Sequence, residues 1–281
     1  MTDLSGRICL VTGATRGIGR ATAEGLARMG AQVLLHGRDS ASVGAVCREM
    51  VRYGQVAGVV GDFSSLAAVR KLAKDVAAQH PRLDVLVNNA GIGALRRETT
   101  ADGFERVFAV NHLAPFLLTN LLLERLKASP AARVVTVSSM AHRGAALDFD
   151  DLNWERRKYG GLKAYGASKL ANILFTAELA RRLAGSRVTA NCLHPGVVAT
   201  NIFTRMGIGG RVFTLLFRPL MLSPGNGAKT SVYLASSPEV ANVTGKFFDK
   251  CREVAPTPAA QDAAAARRLW EISERLTGLA G

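Results

Sequence analysis

Short apolar runs alternate with longer amphipathic segments along almost the whole chain, and this alternation constrains the fold more than any other feature. Apolar runs of about four to eight residues between helical segments of about ten or more are typical of β-α-β units, which build a parallel sheet. The pattern predicts an α/β domain that binds ligands at the carboxyl ends of its strands. The seven predicted strands are 8–12, 32–36, 56–60, 84–87, 133–138, 187–193 and 246–248. The predicted helices are 18–29, 42–52, 66–79, 103–127, 165–184, 225–236 and 259–276.

The composition is that of a globular protein with a large core, since 48% of the 281 residues are hydrophobic and 21% are charged. No apolar stretch reaches the roughly 18 residues that a membrane span needs. The polar residues 1–6 predict neither a signal peptide nor a membrane anchor. The cysteines lack metal-binding spacing and favour a reducing, cytoplasmic compartment; they are Cys9, Cys47, Cys192 and Cys251.

The chain is strongly basic, with a formal net charge of +14 and a pI near 10.3. Such a surface attracts anions, which include dinucleotide phosphates, acidic carrier proteins, membrane surfaces and nucleic acids. Scattered, solvated arginines and lysines are the ordinary explanation of this charge. No zinc spacing or RNA-reading aromatic motif accompanies it, so no nucleic-acid partner is expected.

A glycine-rich turn follows the first predicted strand, in the segment Thr12-Gly13-Ala14-Thr15-Arg16-Gly17-Ile18-Gly19. Glycines let the chain turn sharply and let backbone N–H groups approach a pyrophosphate at a helix N-terminus. The spacing GxxxGxG differs from the common GxGxxG fingerprint. Its place between a strand and a helix predicts a dinucleotide phosphate site, and a turn without a ligand is the alternative.

The end of the second predicted strand indicates which dinucleotide binds. A basic residue there suits the 2′-phosphate of NADP, whereas an acidic residue suits the ribose hydroxyls of NAD. Arg38 stands at this position and Arg16 adds a second positive charge, so NADP(H) is favoured over NAD(H). Asp39, one residue later, favours NAD(H) instead, unless its carboxylate caps the following helix. A solvated loop charge is the alternative explanation of Arg38.

A tyrosine and a lysine four residues apart begin a strongly helical segment, at Tyr165 and Lys169. This spacing puts both side chains on one helix face, where the ammonium is expected to lower the pKa of the phenol. Tyr165 would then act as a general acid or base. The motif is weak alone, because YxxxK also arises by chance at surfaces. Either Ser138 or Ser139 could present a hydroxyl at the sheet edge nearby.

Two further polar features fall at predicted ligand-facing positions. The segment Asn88-Asn89-Ala90-Gly91 follows the fourth predicted strand, where amides and a glycine permit close approach to a ligand. Asn111 interrupts an otherwise apolar helical run, and a buried amide needs hydrogen-bond partners. A hydrated core asparagine is the ordinary explanation of Asn111.

Taken together, these motifs resemble the short-chain dehydrogenase/reductase family over nearly the whole chain. The matching elements are Thr12-Gly13-x-x-x-Gly17-Ile18-Gly19, Asn88-Asn89-Ala90-Gly91, Asn111, Ser138-Ser139, Tyr165-x-x-x-Lys169 and His194-Pro195-Gly196. Details at 111–113, 137–142 and 168–175, and the insertion at 150–161, resemble the retinol dehydrogenase-like branch. The resemblance implies one doubly wound Rossmann-type domain over 1–281, with a mainly parallel seven-stranded sheet and helices on both faces.

The resemblance also implies roles for individual residues. Tyr165 exchanges the substrate hydroxyl proton, Lys169 holds the nicotinamide ribose, Ser139 orients the substrate oxygen and Asn111 holds a relay water. Asp62 contacts the adenine. The cofactor-binding positions implied are Gly13, Thr15, Arg16, Gly17, Ile18, Gly19, Arg38, Asp62, Phe63, Asn89, Ala90, Gly91, Tyr165, Lys169, Pro195, Gly196, Val198 and Thr200. The reaction implied is hydride transfer at a C–OH/C=O centre, with no metal.

Two segments bear on substrates and partners. Residues of about 197–223 occupy the family's substrate-lid position, and their apolar side chains favour a lipophilic alcohol, aldehyde or ketone. The arginines of this segment would also allow contact with an anionic membrane surface, and core or subunit packing is the alternative. The C-terminal extension, about 252–281, is predicted to be helical and could alter the dimeric or tetrameric contacts that the resemblance implies.

Two rival functions are compatible with the same sequence features. A 3-oxoacyl-carrier reductase would use the basic surface to attract an acidic carrier, although the long gap between Ser139 and Tyr165 argues against it. A dinucleotide-sensing protein without catalysis would keep the glycine turn but would not need the serine, tyrosine, lysine and asparagine together.

Overall fold

The computed structural model describes residues 2–196 and 222–279, and its strands assemble into one eight-stranded sheet in the order β3-β2-β1-β4-β5-β6-β7-β8. All neighbouring pairs are parallel except β7 and β8, which are antiparallel. The strands are β1 Ile8–Val11, β2 Gln32–Gly37, β3 Val56–Val60, β4 Val85–Asn88, β5 Ala132–Val137, β6 Val188–His194, β7 Phe247–Asp249 and β8 Arg252–Glu253.

Helices connect the strands, as the alternation of apolar runs predicts. They are α1 Gly17–Ala27, α2 Ser40–Met50, α3 Leu66–Gln79, α4 Arg106–Phe108, α5 Ala114–Leu121, α6 Leu123–Lys127, α7 Gly161–Arg182, α8 Pro224–Ser236 and α9 Ala263–Thr277. The predicted bounds of β3 and α3 agree with the observed bounds. The doubly wound α/β class expected from the sequence is therefore confirmed.

Alternate residues of each central strand enter two different hydrophobic cores. On one face Leu10, Leu86 and Val134 pack with α3, α5 and α7. On the other face the neighbouring residues, among them Val11 and Val87, pack with α1, α2 and α8. Since successive side chains of a strand point to opposite faces, helices cover both faces and both cores are apolar.

The sequence-based prediction of seven strands is one short of the structure. The additional strand, β8, has two residues and pairs with β7 across a turn in which Lys250 and Cys251 have φ of 49° and 60°. Tight hairpins favour glycine or asparagine at such positions. Because neither stands here, the local sequence carried no hairpin signal.

The predicted helix over 103–127 is also wrong in detail, since helical structure begins only at Arg106. The buried carboxylate of Glu105 caps this start by accepting from the N–H groups of Val107 at 2.9 Å and Phe108 at 2.7 Å. A π-helical turn, Ala109–Leu113, then separates α4 from α5. Such turns are frequent at functional sites, and this one contains Asn111.

The C-terminal extension belongs to the core. Its helix α9 begins after Asp262, whose carboxylate caps the N–H groups of Ala264 and Ala265. Trp270 of α9 stacks on Phe175 of α7, with ring centroids 5.9 Å apart, and meets Phe116 of α5 edge-on at 4.9 Å. The expected lid positions from 197 to 221, including Val198 and Thr200, lie outside the described residues.

Candidate active site

The glycine-rich turn follows β1, which lies between β2 and β4 in the sheet. The order in which the chain forms neighbouring strands reverses direction at this position. Gly13 and Gly17 have φ of +65° and +58°, a region that favours glycine. A Cβ added to Gly13 would lie 2.9 Å from the Cα of Ala90, so the two loops pack too closely for any side chain there. The turn thus requires glycine for its backbone and for its packing.

The N-terminus of α1 has no side-chain cap. Arg16 stands at the N-cap position without a side-chain capping bond, and the first turn contains no acidic residue. Thr15 and Ile18 are partly buried and Arg16 is exposed. A helix start without a side-chain cap, with positive charge beside it, fits a pyrophosphate.

The loop after β4 is joined to the glycine turn through Thr12. The Thr12 hydroxyl accepts from the N–H groups of Asn89 at 2.9 Å and Ala90 at 3.0 Å. The Asn89 amide donates to the carbonyl oxygen of Thr12 at 2.7 Å. These bonds fix the two predicted cofactor loops relative to each other. Sequence reasoning assigned no role to Thr12, because its partners are about 77 residues away along the chain.

His36 is a second residue that sequence reasoning missed. Its Nδ1 accepts from the N–H of Gly13 at 3.2 Å, and its Nε2–H donates to the carbonyl oxygen of Gly61 at 2.9 Å. The ring stacks on Phe63 at 4.4 Å. Burial lowers the pKa of His36 to about 4, which keeps the ring neutral and suits one donor and one acceptor. The only sequence signal was a histidine inside an apolar strand.

Arg38 and Asp39 have separate roles at the end of β2. Arg38 is exposed and lines a cavity of about 520 Å³ together with Ile92 and Arg106. Asp39 caps α2 by accepting from the N–H of Ser42 at 2.7 Å. The Asp39 carboxylate therefore caps the helix. Its presence beside Arg38 is explained by this role and does not require a bond to the ribose hydroxyls of NAD.

Asp62 is exposed just after β3, beside the buried ring of Phe63. Partial burial opposes ionisation of its carboxyl, but hydrogen bonds from Ser64 and the charges of Arg38 and Arg106 outweigh it and lower the pKa. Asp62 is therefore an anion at neutral pH, close to two guanidinium groups. It offers acceptors to a base or sugar at the sheet edge.

Asn111 is fully buried, and its side chain connects three elements. Its Oδ1 accepts from the N–H of Ile92 at 2.8 Å, and its amide donates to the carbonyl oxygen of Ile92 at 3.0 Å. The amide also donates to the hydroxyl of Ser168 at 2.9 Å. The π-helical turn thus ties the loop after β4 to α7, while the expected relay water stays a prediction.

The two serines after β5 face different ways. The Ser138 hydroxyl is buried and donates to the carbonyl oxygen of Lys169 at 2.7 Å, so it supports α7. The Ser139 hydroxyl lies close enough to the Tyr165 phenol to affect its pKa, and it accepts from the N–H of Ala141 at 3.2 Å. Of the two, only Ser139 stands beside the phenol.

Tyr165 and Lys169 lie together near the start of α7, and both are buried. Lys169 Nζ is 5.6 Å from the centroid of the Tyr165 ring and donates to the carbonyl oxygen of Val137 at 3.0 Å. A Cβ added to Gly91 would lie 3.3 Å from this Nζ and 3.4 Å from Asn111 Oδ1. Tertiary packing thus brings Gly91, Asn111 and Lys169 to one place beside Tyr165.

The expected lowering of the Tyr165 pKa by Lys169 is not seen in this arrangement. Burial raises the pKa of Tyr165 to about 12, against an opposing hydrogen bond from Ser139. Burial also lowers the pKa of Lys169 to about 8. The expectation was wrong because it omitted desolvation, which penalises the charged form of both groups.

The predicted segment His194-Pro195-Gly196 begins at the end of β6. His194 Nδ1 accepts from the N–H of Met140 at 3.3 Å, next to Ser139. Pro195 and Gly196 are partly exposed at the sheet edge, and Gly196 has φ of +83°. Within 2–196 and 222–279, no group of three or more metal-binding side chains converges, and no helix is long and apolar enough to cross a membrane.

A glycine-rich turn at the switch point of this sheet, next to a buried phenol and ammonium, is characteristic of nicotinamide-dependent oxidoreductases. The family model described as short chain dehydrogenase matches residues 7–207. The chain therefore belongs to the short chain dehydrogenase family, and it is an oxidoreductase acting on CH–OH groups with NAD(P)(H).

Relatives with curated names extend this likeness to nearly the full chain. Human retinol dehydrogenase 13 is 46% identical over 285 residues, which cover 98% of this chain and 86% of the relative. Human retinol dehydrogenase 14 is 46% identical over 295 residues, covering 98% and 88%. The retinol dehydrogenase-like resemblance noted in the sequence is thereby confirmed.

Solved structures show the same fold. An uncharacterised protein from Mycobacterium paratuberculosis superposes with a TM-score of 0.83 at 39% identity, covering 99% of this chain and 96% of its own. The Pseudomonas aeruginosa RhlG/NADP active-site complex has a TM-score of 0.70 at 29% identity, covering 88% and 95%.

Proposed function

We propose that this protein transfers a hydride between NADP(H) and a lipophilic alcohol, aldehyde or ketone, with Tyr165 as the general acid or base. The observation that carries the proposal is the proximity of the buried Tyr165 phenol to the Ser139 hydroxyl, with Lys169 Nζ 5.6 Å from the Tyr165 ring centroid and Asn111 next to Lys169. These four groups come from three parts of the chain, since Tyr165 and Lys169 share α7, and they meet at the carboxyl edge of the sheet, where an α/β fold of this kind binds its ligands.

The cofactor site is formed by the loops after β1, β2 and β4. The first turn of α1 and the glycine turn would hold the pyrophosphate, and Lys169 would hold the nicotinamide ribose. Arg38 and Arg16 would bind the 2′-phosphate that distinguishes NADP, and both are exposed. When bound, the dinucleotide supplies or accepts the hydride.

The protein's own groups handle the proton and the substrate oxygen. Ser139 would donate a hydrogen bond to the substrate oxygen and so hold it against Tyr165. With its pKa raised to about 12, the Tyr165 phenol is protonated at neutral pH. A protonated phenol is suited to donate a proton to a carbonyl oxygen, as reduction of a carbonyl requires.

Apolar surroundings support a lipophilic substrate. Tyr165 packs in a small cluster with Ala94 and Val107. Beyond this cluster, Leu95 and Leu162 are 51% and 67% exposed, although leucine is usually among the buried residues. The backbone at Gly161 lies directly against Ala94 and Leu95, so these exposed leucines border one surface beside the phenol.

The test is a panel of retinol, retinal, smaller ketones and a carrier-bound 3-oxoacyl substrate, each measured with NADPH and NADH. We expect turnover of free lipophilic substrates and a preference for NADPH. Preference for NADH would contradict the role of Arg38, and turnover of the carrier-bound ketone alone would favour the 3-oxoacyl reductase.

The variant Tyr165→Phe tests the proton donor while keeping the ring. It should lower kcat by about 100-fold or more, since general acid–base catalysis contributes on the order of 10² to 10⁴. The matched control is Tyr233→Phe, which removes a hydroxyl bonded to Glu239 on another face of the molecule. Full turnover by Tyr165→Phe would contradict the role of Tyr165, whereas NADPH binding by wild type without turnover of any substrate would support a binding protein that senses the dinucleotide.

A further inference from the structure

The turn that carries Ser139 is supported by two histidines. It leaves β5 after Val137 and continues into a 3₁₀ turn, Met140–His142. On one side it is packed against α7, because a Cβ added to Gly166 would lie 2.6 Å from the carbonyl oxygen of Ala141. Backbone bonds also hold it, among them the N–H of His142 to the carbonyl oxygen of Ser139 at 3.1 Å, and further support comes from side chains of the turn itself and of β6.

His142 holds the carbonyl side of the peptide group that follows Ser139. A carbonyl oxygen can only accept, so His142 Nδ1–H donates to the Ser139 oxygen, at 2.6 Å. The ring is 1% exposed and meets Phe247 edge-on at 5.1 Å. Its Nε2 is buried and has no hydrogen-bond partner in the described part of the chain. Among the described residues, the His142 ring therefore makes its hydrogen bond through Nδ1 alone.

His194 holds the N–H side of the same peptide group. Its Nδ1 accepts from the N–H of Met140 at 3.3 Å, and the side chain is 6% exposed at the end of β6. The carbonyl of Ser139 and the N–H of Met140 belong to one planar amide. Two imidazoles from different elements therefore bind opposite ends of one peptide plane.

The charge states of the two rings suit these bonds. Burial lowers the pKa of His194 to about 4, and Asp249 opposes this shift while His142, Arg143 and Lys250 add to it. Burial lowers the pKa of His142 as well, with the bond to Ser139 opposing. Both rings are therefore neutral at pH 7, so that His194 can accept and His142 can donate.

We infer that His142 and His194 are positioning residues, which lock the peptide plane after Ser139 and so direct its hydroxyl toward Tyr165. Rotation of this plane would change ψ of Ser139, which is 157° in the structure, and would break both bonds. The inference rests on the proposed role of Ser139 in orienting the substrate oxygen. A displacement of about 1 Å at such a group costs on the order of 100-fold in rate.

The experiment compares His142→Asn with His142→Gln in the full-length protein. Asparagine can place an amide donor near the position of Nδ1, whereas glutamine places its polar atoms near Nε2, which bonds to nothing described. We expect kcat of His142→Asn to stay within about threefold of wild type and that of His142→Gln to fall about tenfold or more. The Kd for NADPH should be unchanged in both, because neither bond reaches the glycine turn.

A second pair tests the other end of the peptide. His194→Asn keeps an acceptor near Nδ1 and should retain more of kcat than His194→Leu, which keeps none. His80→Leu is the control, since His80 lies at the end of α3, far along the chain from the turn. Equal kcat in His142→Asn and His142→Gln, with both folded by circular dichroism, would overturn the inference.

Failure of the proposed function is distinguishable from failure of this inference. If wild type shows no turnover with any substrate of the panel, the proposed function fails. If wild type turns over, Tyr165→Phe does not and all four histidine variants match wild type, only the positioning role is overturned.

Discussion

The ammonium of Lys169 donates to the carbonyl oxygen of Val137 at 3.0 Å, and the amide of Asn172 donates to the same oxygen at 3.3 Å. Val137 is the last residue of β5, so this oxygen lies directly below the turn that carries Ser139. Because Asn172 also satisfies the carbonyl, Lys169 can leave it for another acceptor without exposing an unpaired buried oxygen. The lysine is therefore well placed to bind a cofactor ribose.

The first prediction concerns the alkaline side of the pH profile. With the pKa of Lys169 lowered to about 8, the ammonium is charged below that pH and neutral above it. If the positive charge is required, kcat/KM for carbonyl reduction should fall as pH rises from about 7 to 10, with a midpoint near 8. Tyr165, with its pKa raised to about 12, stays protonated over this range.

The control for this profile is Lys169→Arg, because arginine keeps its charge throughout the range. Its residual activity should show no decline near pH 8. An identical decline in both proteins would assign the ionisation to another group.

The second prediction concerns stability. A buried lysine whose pKa is lowered from 10.5 to about 8 destabilises the folded protein at pH 7, because ionisation is less favourable there than in the unfolded chain. Each pKa unit corresponds to about 1.4 kcal/mol. Lys169→Met should therefore raise the free energy of unfolding by about 1 to 3 kcal/mol at pH 7 while abolishing turnover.

The pH dependence checks the sign of this effect. The increase in the free energy of unfolding caused by Lys169→Met should shrink as pH rises through 8 to 10, because the lysine in the folded protein is already neutral there. Urea unfolding of both proteins at pH 7 and pH 9.5 measures it. A gain that is equal at both pH values would point to packing rather than to charge.

The third prediction separates two adjacent residues, Arg38 and Asp39. Arg38→Ala should raise KM for NADPH about tenfold or more and leave KM for NADH nearly unchanged, since a charge-assisted bond to phosphate contributes about 1.5 to 3 kcal/mol. Asp39→Ala removes the N-cap of α2. It should lower the free energy of unfolding by about 0.5 to 2 kcal/mol without changing the preference between the dinucleotides.

Steady-state kinetics with both dinucleotides and thermal unfolding of both variants check the third prediction. The matched control for Arg38→Ala is Arg52→Ala, an exposed arginine that follows α2. A switch of dinucleotide preference in Asp39→Ala would contradict the assignment of Asp39 to the helix.

The fourth prediction uses two glycines with positive φ. Gly13→Ala should abolish NADPH binding, because the φ of +65° is strained for alanine and its Cβ would collide with Ala90 at 2.9 Å. Gly103→Ala, at φ +86°, meets nothing within 4 Å. It should cost only about 1 to 2 kcal/mol of stability and leave the affinity for NADPH unchanged.

Fluorescence titration with NADPH and thermal unfolding of the two variants distinguish site damage from general strain. Equal losses of NADPH affinity would show that strain at either glycine spreads through the fold. NADPH binding by folded Gly13→Ala at wild-type affinity would refute the close packing of the two loops.

Much of the fold could be predicted because its signals are local. The bounds of β3 and α3 follow from short windows of apolar periodicity, and the glycine turn follows from backbone conformations that only glycine adopts easily. The start of α4 and the strand β8 were missed. The first depends on the buried cap at Glu105, and the second on a turn that lacks the usual turn residues.

By itself, the sequence determined the order of strands and helices, the need for glycine at the cofactor turn and the set of reactive side chains. Only the tertiary structure decided what Asp39 binds and how His36, His142 and His194 are used, and it places Ser139 rather than Ser138 beside Tyr165. The physical reason is that periodicity and backbone preference act over a few residues. Burial and hydrogen-bond partners depend instead on strands and helices that meet across the sheet, and these also set the pKa values of Tyr165 and Lys169.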